Sequence, residues 1–279
     1  MNDNYKLFKL VRAFNNSENK SNVDLAIETI VAGTSSNNQL GQQIKKITVP
    51  TIIEGTSADY AFYNCNQLEE ISEINTDNVT SMSHTFKNCK KLKKLPKMNT
   101  SNVTVMWNIC ENCESLEEIS LDIPNVGTLN TGFAYCKAAT KIELLNANKL
   151  ANLGYTFMSC SKLKTLDAIN AENVVNVEGI FYNDWILENL GGFINLGKKY
   201  SHTRALYTSY NLNLTDPSKL THQSLMNVIN NLYDLNLSYK VANGGTLYTQ
   251  GLYLGSTNLT KLTAEEIAIA TTKGWSVLS

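Results

Sequence analysis

Between residues 58 and 197 the apolar positions return in blocks, at an interval far longer than the two of a strand or the 3.6 of a helix. Cys65, Cys89, Cys113, Cys136 and Cys160 are spaced by 24, 24, 23 and 24 residues. Three residues before them stand Phe62, Phe86, Cys110, Phe133 and Phe157, and a sixth copy has Phe181, with Asp184 at the cysteine position. Three residues after come Leu68, Leu92, Leu116, Ala139, Leu163 and Leu187, then Ile71, Leu95, Ile119, Ile142, Leu166 and Leu190. Val79, Val103, Val126, Leu150 and Val174 follow, each with Met82, Met106, Leu129, Leu153 or Val177 behind it. One such unit cannot bury its own apolar side, whereas stacked units bury a continuous core. The pattern therefore predicts an α/β solenoid of about six 24-residue coils.

Stacking places equivalent residues in ladders separated by about one strand spacing of 4.7–4.9 Å. A small, apolar-behaving thiol suits such a ladder. Disulfides do not, since cross-linking neighbours would break the period, so the six cysteines are expected to be reduced and buried. Two asparagine ladders run beside them. One is Asn78, Asn102, Asn125 and Asn173, interrupted by Lys149; the other is Asn64, Asn88, Asn112 and Asn183. Asparagine can bond the backbone at a turn or stack amide on amide. Glu69-Glu70, Lys93-Lys94 and Glu117-Glu118 occupy one slot in successive copies, which sets opposite charges against each other and pins the register.

Segments such as FYNCNQLEEISEINTDNVTSM and FKNCKKLKKLPKMNTSNVTVM resemble the BspA-type leucine-rich repeat over roughly residues 58–197. The period also lies in the leucine-rich-repeat range of about 20–29 residues. Copies three and four depart from the pattern, with Cys110 in the Phe slot and Ala138-Ala139 in place of Ser-Leu. The resemblance implies binding or structural work rather than catalysis, in a bacterial or protist surface protein or a phage virion protein.

The flanks differ. Residues 1–50 do not match the repeat; 22–32 is expected as a short helix, 35–38 as a loop, and the whole as a cap or attachment segment ahead of repeats at 51–199. Residues 200–279 carry two strand–helix units and are expected to cap the other end. Residues 210–214 read as a strand, and Leu225, Val228, Ile229 and Leu232 make a helical stripe. A second strand at 252–254 precedes a capping box of Thr263 and Glu266, and 275–278 reads as a closing strand. The Lys-Leu-Thr start at Lys219 recurs at Lys261. The stretch from Lys261 to Trp275 is similar to the ends of repeat proteins from gut Bacteroidales and their phages.

Composition narrows the function. The 279 residues carry 24 Lys plus Arg against 25 Asp plus Glu, a net charge of -1, which argues against a nucleic-acid binder built on overall positive charge. Only Arg12 and Arg204 offer the guanidinium that phosphate recognition favours, and the lysine run from Lys87 to Lys97 reads as a structural charge pattern. No apolar run reaches a membrane span, and the first 20 residues lack a basic stretch followed by an apolar core. His84, His202 and His222 share no metal-ligand spacing, and Cys110-x-x-Cys113 has no partner pair, so no metal site, cofactor or catalytic residue is expected. Candidate binding residues are aromatics that the core does not demand: Tyr63, Trp107, Tyr135, Tyr182 and Trp185, joined by Tyr200, Tyr207, Tyr210, Tyr239 and Tyr248 in the tail. The expected function is non-enzymatic recognition of a protein or a cell-surface glycan receptor, alongside other virion or surface proteins. The expected place is a phage virion, for instance a tail fibre; the alternative is a bacterial cell-surface adhesin.

Overall fold

The computed structural model describes residues 8–10, 24–25, 27–31, 44–48, 51–199, 211–238 and 250–279. The strands up to residue 199 are β1 (Phe8–Leu10), β2 (Asp24–Leu25), β3 (Ile27–Val31), β4 (Lys46–Ile47), β5 (Thr51–Glu54), β6 (Glu70–Ile71), β7 (Ile74–Asn75), β8 (Glu118–Asp122), β9 (Lys141–Leu145), β10 (Thr165–Leu166), β11 (Ile169–Asn170), β12 (Asn189–Leu190) and β13 (Phe193–Ile194). Beyond them lie β14 (Leu212–Asn213), α1 (His222–Asn231), α2 (Leu235–Ser238), β15 (Gln250–Tyr253), α3 (Gly255–Leu259), α4 (Ala264–Thr272) and β16 (Trp275–Leu278). The architecture is mixed α/β, with small, mostly parallel sheets and few helices.

Pairing follows the sequence period. Strand β10 pairs in parallel with β9 on one side and β12 on the other, joining Leu166 to Ile142 and to Leu190. A second line of single parallel bridges runs Ser57, Ser81, Val105, Thr128, Asn152, Asn176, and a third includes β5 with β7 and β11 with β13. Most strands are only two residues long because the chain turns between the lines; the ladder therefore grows across repeats and not along them.

The core is made of like on like. Phe62, Phe86, Phe133, Phe157 and Phe181 are all buried. Phe62 stacks on Phe86 with centroids 5.4 Å apart, Phe133 on Phe157 at 6.2 Å, and Phe157 on Phe181 at 5.8 Å. The column is interrupted at Cys110. There the adjoining buried position is Ile109, where four other copies have Ala61, Thr85, Gly132 or Thr156, so lost volume is partly returned. None of the six cysteines forms a disulfide and all are buried, as expected.

The asparagine ladders have two distinct causes. Asn64, Asn88, Asn112 and Asn183 have left-handed backbone, φ 60 to 65°. Asparagine tolerates that region better than other residues with a Cβ. Asn88 Nδ2 donates to Asn64 Oδ1 at 2.6 Å and Asn112 Nδ2 to Asn88 Oδ1 at 2.9 Å. In the other ladder the amide reaches backbone instead: Asn102 Nδ2 donates to Asp77 O at 2.8 Å, and Asn125 Nδ2 to Ser101 O at 2.6 Å. Lys149, the interruption, donates to Asn125 Oδ1 at 2.6 Å and so keeps the ladder bonded.

Two expectations for the first 50 residues are corrected. Within the span expected as a helix, Asp24–Leu25 and Ile27–Val31 are the strands β2 and β3; β-branched Ile27, Thr29, Ile30 and Val31 favour extended backbone. The repeat pairing also begins before residue 51, since Lys46–Ile47 lies beside Glu70–Ile71 at the same 24-residue offset, with Ile44 and Ile47 buried. The loop expected at 35–38 and the tail tyrosines Tyr200, Tyr207, Tyr210, Tyr239 and Tyr248 lie outside the described residues.

The C-terminal elements dock on the sixth repeat. Thr221 caps α1, and Ser224 Oγ donates to Glu188 O while accepting from Leu190 N, both at 2.9 Å. The second unit then stacks on the first. Lys261 Nζ, at the recurrence of Lys219, donates to Ser218 O and Leu220 O, and Lys273 Nζ to Ile229 O and Asn230 O at the end of α1. Those lysines satisfy carbonyls that a helix end or turn leaves without partners. The capping box on α4 and the closing strand β16 form as the sequence predicts. The short helices α2 and α3 are not visible as a period because neither exceeds five residues.

Replacing Phe157 by Ala removes a ring stacked on both sides and is expected to cost about 3–5 kcal/mol, read from urea denaturation. Replacing Asn88 by Ala breaks one amide link on each side and leaves a Cβ residue in left-handed backbone; the same assay should show a loss of about 2 kcal/mol.

Candidate binding face

Each repeat has a turn that runs from six residues before the cysteine position to two after it. Two of its residues hold left-handed backbone. One column is Asn64, Asn88, Asn112, Tyr135, Ser159 and Asn183; the other, four residues earlier, is Tyr60, His84, Asn108, Thr131, Tyr155 and Gly179, with φ between 54 and 59°. Gly179 gives the Tyr155 ring its room, because a Cβ there would come within 2.3 Å of that ring and the ring would have to shift, as Tyr60 and His84 in the same slots do by stacking. The turns are fixed to each other through backbone, for example Phe86 N to Ile109 O and Asn88 N to Glu111 O, at 2.8 and 2.9 Å. Such turns hold their outward side chains on a rigid frame.

The five aromatic residues singled out in the sequence all lie on this turn face, but in different slots. Tyr63 and Tyr182 share the position two before the cysteine slot; Tyr135 is one before, Trp107 six before and Trp185 one after. Trp107, Tyr182 and Trp185 are 50%, 56% and 57% exposed, and Tyr135 is exposed as well. Tyr63 is half-buried and meets Tyr60 edge to face at 5.5 Å. The five aromatics are therefore spread over repeats one, three, four and six without forming one continuous column. Tyr182 and Trp185 lie closest in sequence, on the single turn of the sixth repeat.

Sequence reasoning missed Tyr60, His84 and Tyr155, although they recur in one slot. Tyr60 stacks on His84 at 4.5 Å and 10°, and the Tyr155 hydroxyl donates to Glu178 Oε1 at 2.6 Å. That hydrogen bond, helped by burial, raises the Tyr155 phenol. Burial, and then the nearby Lys87, lower His84.

Charged pairs lie among these aromatics in repeats two to four. Lys87 pairs with Glu111 at 2.6 Å, and Glu114 takes Lys90 at 3.5 Å and Lys137 at 3.3 Å. Burial works against the Glu114 carboxylate, but the two lysines hold it below its ordinary range. The charge alternation expected one slot over is weaker. Lys93 reaches Glu69 at 3.9 Å, and Glu70 turns to Lys46 at 3.3 Å. The lysine run is thus answered by carboxylates at Lys87, Lys90 and Lys93. Exposed pairs of this kind contribute about 0–1 kcal/mol each, so they set register more than stability.

The cysteine sulfurs bond backward along the stack: Cys89 Sγ donates to Phe62 O at 3.1 Å, Cys113 Sγ to Phe86 O at 3.0 Å, Cys136 Sγ to Cys110 O at 3.3 Å and Cys160 Sγ to Phe133 O at 3.2 Å. Burial pushes these four thiols well above their ordinary value, and raises Cys110 also. A thiol held neutral is a poor nucleophile and metal ligand. Among the described residues no group of three or more His, Cys, Asp or Glu is placed to hold a metal ion, and no helix is long and apolar enough to cross a membrane. A depression of about 200 Å³ on another face is lined by Glu73, Asp77, Lys97 and Asn99 among others; both its carboxylates are exposed, unlike a general acid held in an apolar setting.

Fold and site together define a mixed α/β repeat protein with a turn face bearing exposed aromatic side chains. The family described as "Mycoplasma protein of unknown function, DUF285" matches residues 56–188, a little under half of the chain and the span over which the 24-residue register runs. A leucine-rich repeat protein from Bacteroides ovatus, known from its crystal structure, is similar at 21% identity with a TM-score of 0.42, over 66% of this chain and 54% of that one. The chain thus spans about half the length of that protein. No curated protein matches it significantly.

The thiol geometry has a direct check. In native buffer a disulfide reagent such as dithionitrobenzoate should leave the cysteines unmodified for hours, and in denaturant it should titrate all six at once.

Proposed function

We propose that this chain is a non-enzymatic recognition protein. It is a leucine-rich-repeat-like solenoid of about six 24-residue coils, preceded by a segment that already pairs in the repeat register at Lys46–Ile47 and followed by an αβ segment, and it engages a protein or glycan partner through its turn face. One observation carries the reading: Trp107, Tyr135, Tyr182 and Trp185 are held in solvent on turns whose backbone is bonded to the neighbouring repeats. Large aromatic side chains cost hydration when exposed, yet lose little entropy on binding, which is why they concentrate at interaction hot spots. The solenoid form is supported by the parallel bridges and phenylalanine stacks that recur at the sequence period. The setting belonging to this reading is the outside of a bacterial cell. A virion component such as a tail fibre is its narrower form, and neither comparison speaks for it.

The test is binding of the labelled protein to a glycan array and to bacterial cell surfaces, with Tyr182→Ala/Trp185→Ala as the comparison. The double variant should lose at least tenfold in affinity, about 1.4 kcal/mol or more, with an unchanged circular dichroism spectrum. Unchanged binding by the variant would remove this face from recognition. Immunodetection in the native source should place the protein in a surface or virion fraction; recovery from cytosol alone contradicts the setting.

A further inference from the structure

In four repeats the buried thiol donates to a carbonyl 26 or 27 residues back, in the preceding repeat. In the sixth repeat that position is Asp184. Its side chain has no exposed surface, and neither carboxyl oxygen makes a hydrogen bond of good geometry; a looser approach of the Cys160 backbone N–H is what favours the ionised form. Cys160 bonds the carbonyl 27 residues back, Phe133 O; the same offset from Asp184 leads to the carbonyl of Phe157, its equivalent in the preceding repeat. A carboxylate brings only acceptors to that contact, whereas a carboxylic acid brings one O–H donor. Two titratable groups face Asp184 from the neighbouring elements. One is the Cys160 thiol of the preceding repeat; the other is Asp216 of the following segment, whose Oδ2 accepts from the Asn183 backbone N–H at 2.6 Å. Neither is a cation. The same turn carries Tyr182 two residues before Asp184 and Trp185 directly after it.

We propose that Asp184 is a proton-dependent latch beneath the aromatic pair: as the acid its O–H takes the place of the thiol on the Phe157 carbonyl and seats the turn, and as the carboxylate it is a buried unpaired charge that unseats the turn and with it Tyr182 and Trp185. That these two aromatics belong to the binding face rests on the function proposed above; the latch itself does not. Burial pushes the Asp184 carboxyl up to about 8, the backbone of Cys160 working against it and Asp216 adding to it. The native value then lies above the unfolded one, so the native state holds a proton that the unfolded state has lost. The stability this provides is complete below the ordinary aspartate range and is lost as the pH rises toward 8. His84 runs the other way: burial lowers it, so its penalty falls on the acid side.

The test compares the full chain with Asp184→Cys, which restores the residue of the other repeats, and with Asp184→Asn. His84 titrates in all three proteins, so the ratio of folding constants between variant and parent isolates Asp184. That ratio should rise more than tenfold between pH 5 and 8, since one retained proton changes the constant by up to about tenfold per pH unit. In the parent, the carboxyl carbon of Asp184 should titrate near 8 by NMR. Amide exchange over residues 181–187 should quicken relative to Asp184→Cys once the carboxyl ionises. A carboxyl midpoint below about 5, a ratio flat across the range, or unchanged exchange would each overturn the latch. The NMR titration needs no variant, so it decides the matter even if a substitution fails to fold. No readout uses a ligand, so this result and the binding result can fail independently.

Discussion

Equivalent buried side chains meet across neighbouring repeats, as the phenylalanine rings do at 5.4 to 6.2 Å, and that condition decides which residues the chain can use there. A residue that meets its own kind must satisfy itself or find backbone. Phenylalanine does so by ring stacking, as from Phe133 to Phe181. Asparagine at the left-handed position does so amide to amide, from Asn64 through Asn112. Cysteine fits its slot because it combines a small apolar volume with one weak donor, and the slot offers one carbonyl. Each of these carbonyls also accepts a backbone N–H of its own repeat, so the thiol adds a second, weak donor that valine or alanine would lack.

Much of this is legible in the sequence because a side chain that must match its copies leaves a period. The phenylalanine, cysteine and leucine slots, the two asparagine ladders and the capping box at Thr263 are all recovered, since each depends on a residue type with one physical use. What stays hidden is backbone that many residue types can occupy. The column of Tyr60, His84, Asn108, Thr131, Tyr155 and Gly179 shares one left-handed conformation and almost no chemistry. The two strands at 24–31 read as a helix because Leu25, Ala26, Ile27 and Ile30 are spaced acceptably for either, and pairing with β4 and β5 decides the matter. The ion pairs were expected one slot away from the strongest ones, because a charge pattern shows sign but not reach.

The exposed face is the complement of that rule. Outward positions have no copy to satisfy, so they vary, and the variation takes the form of exposed aromatics with Lys–Glu pairs among them in repeats two to four. The candidate residues were found by their type alone, as aromatics the core does not need. Their common location on one rigid set of turns comes only from the structure. Asp184 joins the two worlds: it stands in a core slot with a polar side chain, directly below two of the most exposed rings.

The stacking itself is most directly measured by distances between equivalent outward positions. With the native thiols shielded, spin labels can be attached through Glu70→Cys paired with Thr165→Cys, and through Glu70→Cys paired with Asn189→Cys. Residues 70, 165 and 189 share one slot in repeats one, five and six. At about 4.8 Å per repeat the backbone separations should be about 19 and 24 Å, with the second pair longer by one strand spacing. Label distances that are equal, or in the reverse order, would contradict the stack.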